Sequence, residues 1–346
     1  MLLKPFSRAS SSVLLRPTLT RSFVNTSFQE KDVRHQGDHY CQIPERGLIE
    51  LEGPDTAKFL QGLITNHMPK ISPGGDGFYT AFLTPPGRML YDTFIYPVNS
   101  GVNFPHPKFM IDCPASNTST FMRHLKRYIL RSKVKARDCS EEYQLWHVWG
   151  HHETLDPALV KKERRLSDIG CTDPRMPGFG YRAVLKKEQA IEHILPTSGH
   201  FEPLDASEYT IRRMLYGIPE GVDDLWPEIS LPLESNLDYM NGVDFRKGCY
   251  VGQELTIRTY HTGVVRKRIV PMFSAPSVQS VDRHQTFPSG LVPQTDIKLV
   301  EGATLMRLEH VKRCAEGEPV AFTVPGNESI RIRPFLPDWW EEQHGE

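Results

Sequence analysis

The sequence predicts an α+β protein of more than one domain, and three observations carry that prediction. The chain has 346 residues, more than one small hydrophobic core accommodates and enough for two or three domains. Its composition, 39% hydrophobic and 24% charged, is that of a soluble globular protein, and no run is long and apolar enough to span a bilayer. From Cys41 onward, short strand-like runs are interspersed with segments of helical period. The expected division is a leader over 1–30, a mixed α/β core over 36–260, and a small C-terminal β-barrel with a tail over 261–346.

The elements follow in order. Met1 to Phe28 contains Lys4, Arg8, Arg16 and Arg21, many serines, and no acid before Glu30. That is the composition of a mitochondrial presequence or of a basic tail; a secretory signal would need a continuous apolar core, which polar residues interrupt here. Without those four cations the formal net charge of −1 becomes −5, which argues against non-specific nucleic-acid binding. Leu48 to Leu51 is a strand, and Gly53-Pro54-Asp55 opens a short helix over Thr56 to Leu63. Phe78 to Thr84 and Arg88 to Pro97 form a hairpin around Pro85-Pro86-Gly87, followed by a strand over Lys108 to Asp112.

Ser116 to Arg131 places Phe121, Leu125, Tyr128 and Ile129 at helical spacing with basic residues on other faces, as in an amphipathic helix packed on a sheet. Those basic residues form a solvated face or guide an anionic ligand. Val134 to Arg137, Tyr143 to Val148 and Tyr181 to Leu185 read as strands, Leu155 to Arg165 as a peripheral connection, and Asp173 to Gly180 as a turn-rich loop. Ala206 to Tyr216 is a helix stopped by Gly217 and Pro219. Leu255 to Tyr260 and Val264 to Met272 read as strands, and Ser274 to Asp296 as a surface insertion. Lys298 to Leu308, Pro319 to Val324 and Ser329 to Arg333 supply the strands of the barrel.

The six cysteines, at 41, 113, 139, 171, 249 and 314, stand singly, so neither a disulfide framework nor a zinc site is implied. Cys249 differs from the rest in its neighbours. It lies in Lys247-Gly248-Cys249-Tyr250-Val251-Gly252-Gln253-Glu254, between two glycines and close to a lysine. A neighbouring ammonium stabilises the thiolate, which is both nucleophile and metal ligand. Glycines let backbone turn or approach a ligand closely. The alternative is a turn holding an inert thiol.

This octapeptide resembles the signature of the IBA57/CAF17 and YgfZ group, relatives of the glycine-cleavage T-protein (aminomethyltransferase). The resemblance extends through Leu233 to Asp238 before it and through Arg258 to Gly263 and Arg266 to Arg268 after it. Fainter echoes lie in Phe59 to Asn66, Gly87 to Asp92 and Tyr216 to Gly221. It implies a T-protein-like folate-binding fold, with two mixed α/β modules and one barrel around a central channel. It also implies a cofactor site lined by Lys247, Gly248, Tyr250, Gly252, Gln253, Glu254 and Arg258, with Cys249 as metal ligand. Asp92 is by resemblance a tetrahydrofolate contact and, as a lone strand acid, equally an edge carboxylate. No catalytic residue is assigned.

The acid of the Arg-x-Glu-x-Gly pattern in the glycine-cleavage enzymes is absent from Arg213-Met214-Leu215-Tyr216-Gly217. With the Cys249 signature, this departure makes iron–sulfur cluster assembly in the mitochondrial matrix, in making [4Fe-4S] proteins, the function that the resemblance implies. The alternative is a tetrahydrofolate-dependent aminomethyl or methyl transferase. One presented cysteine supplies one ligand where a [2Fe-2S] cluster needs four. The cluster is thus expected to be shared with a partner, which the resemblance implies is an A-type, ISCA-like scaffold protein, the chain being a monomer alone and a heterodimer with cluster. His261 is the nearest nitrogen ligand in sequence, or a surface histidine.

Overall fold

The computed structural model describes residues 5–6, 37–99, 107–150, 166–196, 199–276, 304–316, 321–324, 327–334, 336–337 and 339–340. Most of the expected leader, the 155–165 connection and most of the 274–296 insertion lie outside the described residues. The chain falls into two units, one of Gly37–Arg213 with Ile218–Val265, the other of Met1–Gln36, Met214–Gly217 and Arg266–Glu346.

The larger unit contains two five-stranded sheets. In the first, β4 (Phe78–Leu83), β5 (Met89–Pro97), β6 (Lys108–Pro114), β3 (Arg46–Glu52) and β7 (Lys135–Asp138) lie side by side in that order, antiparallel throughout. The period of two divides its strands into two unlike faces. One face carries Ile49, Leu51, Phe78, Phe82, Tyr91, Ile95, Phe109 and Ile111, buried under α1 (Thr56–Gln61) and α2 (Thr118–Ile129). Phe121 of α2 meets Phe82 edge-on at 4.8 Å and lies 4.5 Å from Tyr91. The opposite parity carries Arg46, Asp92, Phe94, Tyr96 and Asp112, all buried.

The second sheet runs β11 (Phe201–Pro203), β2 (Asp38–Gln42), β8 (Tyr143–Trp149), β10 (Tyr181–Lys186) and β9 (Gly170–Thr172). Tyr40, Val148, Tyr181, Ala183 and Leu185 form a small apolar cluster on one side. The other parity of β10 carries Arg182, whose guanidinium lies 4.1 Å from the ring centroid of Phe94 in the first sheet. The two sheets thus meet through an ionic and aromatic layer. Helix α3 (Ala206–Leu215) and the single turn α4 (Gly221–Asp224) complete this layer, and α5 (Gln253–Thr262) follows the signature.

Helix α5 corrects the strand expected over Leu255 to Tyr260. The alternation Leu-Thr-Ile-Arg-Thr-Tyr reads as period two, but Gly252 in the left-handed conformation at the N-cap and Glu254 in the first turn start a helix.

In the smaller unit, β1 (Pro5–Phe6), β15 (Ala321–Val324), β16 (Asn327–Pro334) and β13 (Met272–Pro276) form a four-stranded sheet, and β12 (Lys267–Val270) pairs with β14 (Thr304–Arg307). Helix α6 (Leu308–Ala315) follows β14, where the sequence had suggested only a strand from Lys298 to Leu308. Trp339 and Trp340 are buried, and Trp339 donates its indole N–H to the carbonyl of Tyr216 at 2.8 Å.

Candidate functional site

The signature loop is held from below by the segment that ends α1. The ammonium of Lys247 is buried and donates to the carbonyls of Gln61, Ile64 and Asn66 at 2.8, 2.5 and 2.8 Å. The Gln61 carbonyl ends α1 and lacks an intrahelical donor, and those of Ile64 and Asn66 follow in the turn beyond it; a lysine there satisfies them while matching the negative end of the dipole. Lys247 therefore faces inward, its hydrogens matched by backbone oxygens, rather than being spent on the neighbouring thiol as the sequence suggested. Burial pushes it down to about 7, and the ring of Tyr250 lies 4.7 Å from its nitrogen.

Further bonds stitch the approach to the signature onto the same segment. Val251 N–H donates to Gly62, Thr65 Oγ1 donates to Gly242 at 2.6 Å, and Asn66 Nδ2 donates to Asn241 at 3.0 Å. Two motifs about 180 residues apart, Phe59 to Asn66 and the signature, are one structural unit.

The two ends of the loop differ. At Gly252, φ is +80°, and a Cβ would lie 2.3 Å from the carbonyl oxygen of Thr84 and 3.2 Å from Cα of Gly87. At Gly87, φ is +86°, and a Cβ would lie 2.9 Å from the Gly252 carbonyl oxygen. These glycines let the tip of the β4–β5 hairpin pack against the start of α5, an approach no side chain permits. At Gly248, by contrast, an added Cβ meets nothing within 4 Å. Tyr250 is buried, and its N–H donates to Gln253 Oε1 at 3.2 Å, closing the loop over the helix start.

Gly248 and Cys249 are left exposed between these anchors, with Glu254 and Arg258 exposed on α5. Tyr260, also exposed, stacks on Phe245 with centroids 3.6 Å apart, and the exposed His261 sits edge-on to it at 5.1 Å. Cys249 is exposed while Cys41, Cys113, Cys139, Cys171 and Cys314 are buried. Burial pushes Cys41, Cys113 and Cys139 up to about 12 and Cys171 well above its ordinary value, which keeps those thiols protonated. Among the described residues no group of three or more His, Cys, Asp or Glu side chains is placed to hold a metal ion.

Asp92 stands in a different environment. It is 2% exposed, Oδ2 accepts from Arg46 Nη1 at 3.0 Å, and Oδ1 accepts from Gly221 N–H at 3.2 Å. It belongs to the layer between the sheets. There Asp112 accepts from Arg46 at 2.6 Å, from Arg182 and the Tyr96 hydroxyl at 2.8 Å each, and from Phe94 N–H at 3.0 Å. Glu220 accepts from Arg175 and Tyr209 at 2.6 Å each, and Arg175 also grips Asp173.

Burial raises Glu220, but Arg175 and Arg182 outweigh it and hold the carboxyl well below its usual range; Asp112 is likewise lowered by Arg46 and Arg182. Asp92 is raised despite its ion pair with Arg46, because burial acts together with the nearby charges of Glu220 and Asp112. Both oxygens of Asp92, the residue for which the resemblance suggested a folate contact, are bonded inside this layer.

The sequence singled out neither Arg46, Asp112, Arg182 nor Tyr209. Their signal was a charge set among apolar neighbours at inward parity, as in Phe-Met-Ile-Asp112-Cys and Tyr-Arg182-Ala-Val-Leu. Arg268, in the basic run Arg266 to Arg268 that extends the resemblance, is 4% exposed.

The family described as the GCVT N-terminal domain matches residues 29–154. A protein of Aspergillus fumigatus named iron-sulfur cluster assembly factor IBA57 homolog, mitochondrial, is 42% identical over 275 residues, covering 73% of this chain and 62% of that protein. A protein of the same name from Neosartorya fischeri is 44% identical, with 67% and 57% covered. The match therefore spans less than two thirds of the length of these relatives. A Mycosarcoma maydis protein, also of that name, is 34% identical over 353 residues, covering 87% of this chain and 84% of that protein. Among solved structures, the glycine cleavage system aminomethyltransferase T from Bartonella henselae superposes with a TM-score of 0.58 at 16% identity, covering 90% and 89% of the two chains. That likeness shows the fold alone.

Proposed function

This chain belongs to the family of the mitochondrial iron–sulfur cluster assembly factor IBA57, and from that premise we propose that it handles a cluster as cargo at Cys249. The observation that carries the reading is the contrast among thiols. Cys249 is exposed on a loop whose neighbours are fixed by carbonyls, a buried ring and two interlocked glycines, while the other five cysteines are buried. A rigidly presented thiol loses little freedom when it becomes a ligand.

One thiolate supplies one of the four ligands of a [2Fe-2S] cluster. The rest come, in this proposal, from an A-type, ISCA-like scaffold protein, so that cluster and heterodimer form together in the making of [4Fe-4S] proteins. Gly248, Glu254 and Arg258 then face the partner, and Lys247, Tyr250, Gly252 and Gln253 position the thiol. The relatives are named mitochondrial, and the proposal places this chain in the mitochondrial matrix with the first ~28 residues as its address. The proposal rests on the presented thiol and routes no step through tetrahydrofolate.

Size-exclusion chromatography of the chain with an A-type scaffold, with and without iron and sulfide, tests the reading. A coloured heterodimer should appear only with iron and sulfide, and Cys249→Ser should leave two separate proteins. A cluster held by this chain alone, or a complex indifferent to Cys249→Ser, would overturn it.

A further inference from the structure

The exposed side of α2 and the chain leaving it carry a feature that cluster assembly does not use. From Cys113 to Arg137 the sequence contains no Asp or Glu. Arg123, Lys126, Arg127, Arg131, Lys133 and Lys135 are exposed, and among the described residues none of the six is in an ion pair. Phe121 and Leu125 face the core, so Arg123, Lys126 and Arg127 share the opposite, solvent side.

Leu130 follows the helix on that same side, three residues after Arg127 and four after Lys126. It is 85% exposed, the most exposed large hydrophobic among the described residues, and its φ is +40°. A helix end that bends left-handed ordinarily takes glycine or asparagine there. A merely solvated basic face has no use for a leucine at this position, and Leu130 has no equally exposed apolar companion between 118 and 137.

We propose that this surface is a peripheral docking site for an anionic phospholipid bilayer, the cations resting on the headgroups and Leu130 entering the boundary with the acyl chains. A lone projecting hydrophobe buries too little to anchor a protein partner. Combined with a polybasic cluster, it forms the pair of weak signals that gives reversible membrane attachment. Each cation near a negative leaflet raises partition about fivefold, and an inserted leucine adds roughly tenfold. No helix among the described residues is long and apolar enough to cross a membrane, so attachment would be peripheral.

Flotation of the full chain with vesicles tests this, using phosphatidylcholine alone and phosphatidylcholine mixed three to one with phosphatidylglycerol. Binding should require the anionic lipid and weaken with salt. Leu130→Gly should lower it roughly tenfold while the melting temperature holds or rises, since glycine accepts this φ without strain. The double variant Lys126→Glu/Arg127→Glu should lower it further at unchanged circular dichroism. If Leu130→Gly binds as well as the parent, the surface is purely ionic, as for an acidic protein, and the proposal fails. It fails equally if neutral vesicles suffice, or if all variants match the parent because the basic N-terminal segment carries the binding.

Discussion

Lys247 and Asp112 are buried charges of the same unit, and each is stabilised by a different kind of partner. Lys247 gives its hydrogens to the carbonyls of Gln61, Ile64 and Asn66, backbone dipoles at the end of a short helix and in the turn that follows it. Asp112 takes its bonds from two guanidiniums, a phenol and one amide, all carried by strands of the two sheets. The first arrangement fixes a short loop against its support and leaves the adjoining thiol in solvent. The second fixes two sheets against each other and leaves nothing exposed. A buried charge satisfied by backbone thus positions a site, whereas one satisfied by other charges positions the fold.

The comparison breaks most visibly at Asp112. Asp112→Ala would strand Arg46 and Arg182 without their shared counter-charge, and removing one partner of a buried pair costs about 3–5 kcal/mol. Urea unfolding should show a loss of that size; a loss below ~1 kcal/mol would mean that water or rearrangement replaces the carboxylate. Gly252→Ala comes next. It forces a Cβ to 2.3 Å from the Thr84 carbonyl oxygen at φ +80°, for a loss of roughly 2 kcal/mol or more. A silent Gly252→Ala would show that the hairpin tip and α5 can separate freely.

Much of the loop was legible before the structure and little of the ionic layer was. Lysine, glycine, cysteine and glycine in eight residues announce a turn with a presented thiol, because each has a local reason to be there. The layer has no local reason. Asp112 pairs with residues 66 positions before it and 70 after it, and only the fold brings them together. The hairpin, α2 and α3 were readable from period and turn residues. Helix α5 was not, since its alternation mimics a strand until Gly252 is known to be left-handed. Lys247 was found, but its direction was not, because adjacency in sequence says nothing about which way a long side chain turns.

Lys247→Met sharpens the comparison from the loop's side. Leaving backbone oxygens without donors costs about 2 kcal/mol. The cost should depend on pH with a definite sign. The folded lysine is pushed down to about 7 from an ordinary 10.5, so between those values the unfolded chain holds a proton that the folded chain has shed. Stability from this group therefore rises with pH above about 7, and the full cost of burying the charge is carried below it. The deficit of Lys247→Met relative to the parent should widen from neutral pH upward. A deficit that shrinks with rising pH would show that the ammonium is not depressed and that its bonds outweigh its burial.

The smallest effect on stability is expected at Gly248, where the contrast with Gly252 isolates function from fold. An added Cβ at Gly248 meets nothing within 4 Å, and its φ lies outside the left-handed range, so alanine fits without strain. Restricting the unfolded chain then makes Gly248→Ala neutral or stabilising by about 0.4–1 kcal/mol. Yet Gly248 is exposed next to Cys249, on the surface that the proposed partner must approach. If the partner's backbone packs against bare glycine there, a single methyl group is enough to hold it off. Gly248→Ala should then fold at least as well as the parent and form the cluster-dependent heterodimer less. Equal heterodimer formation would mean that the partner reaches only the thiol, and that the glycine serves the turn alone.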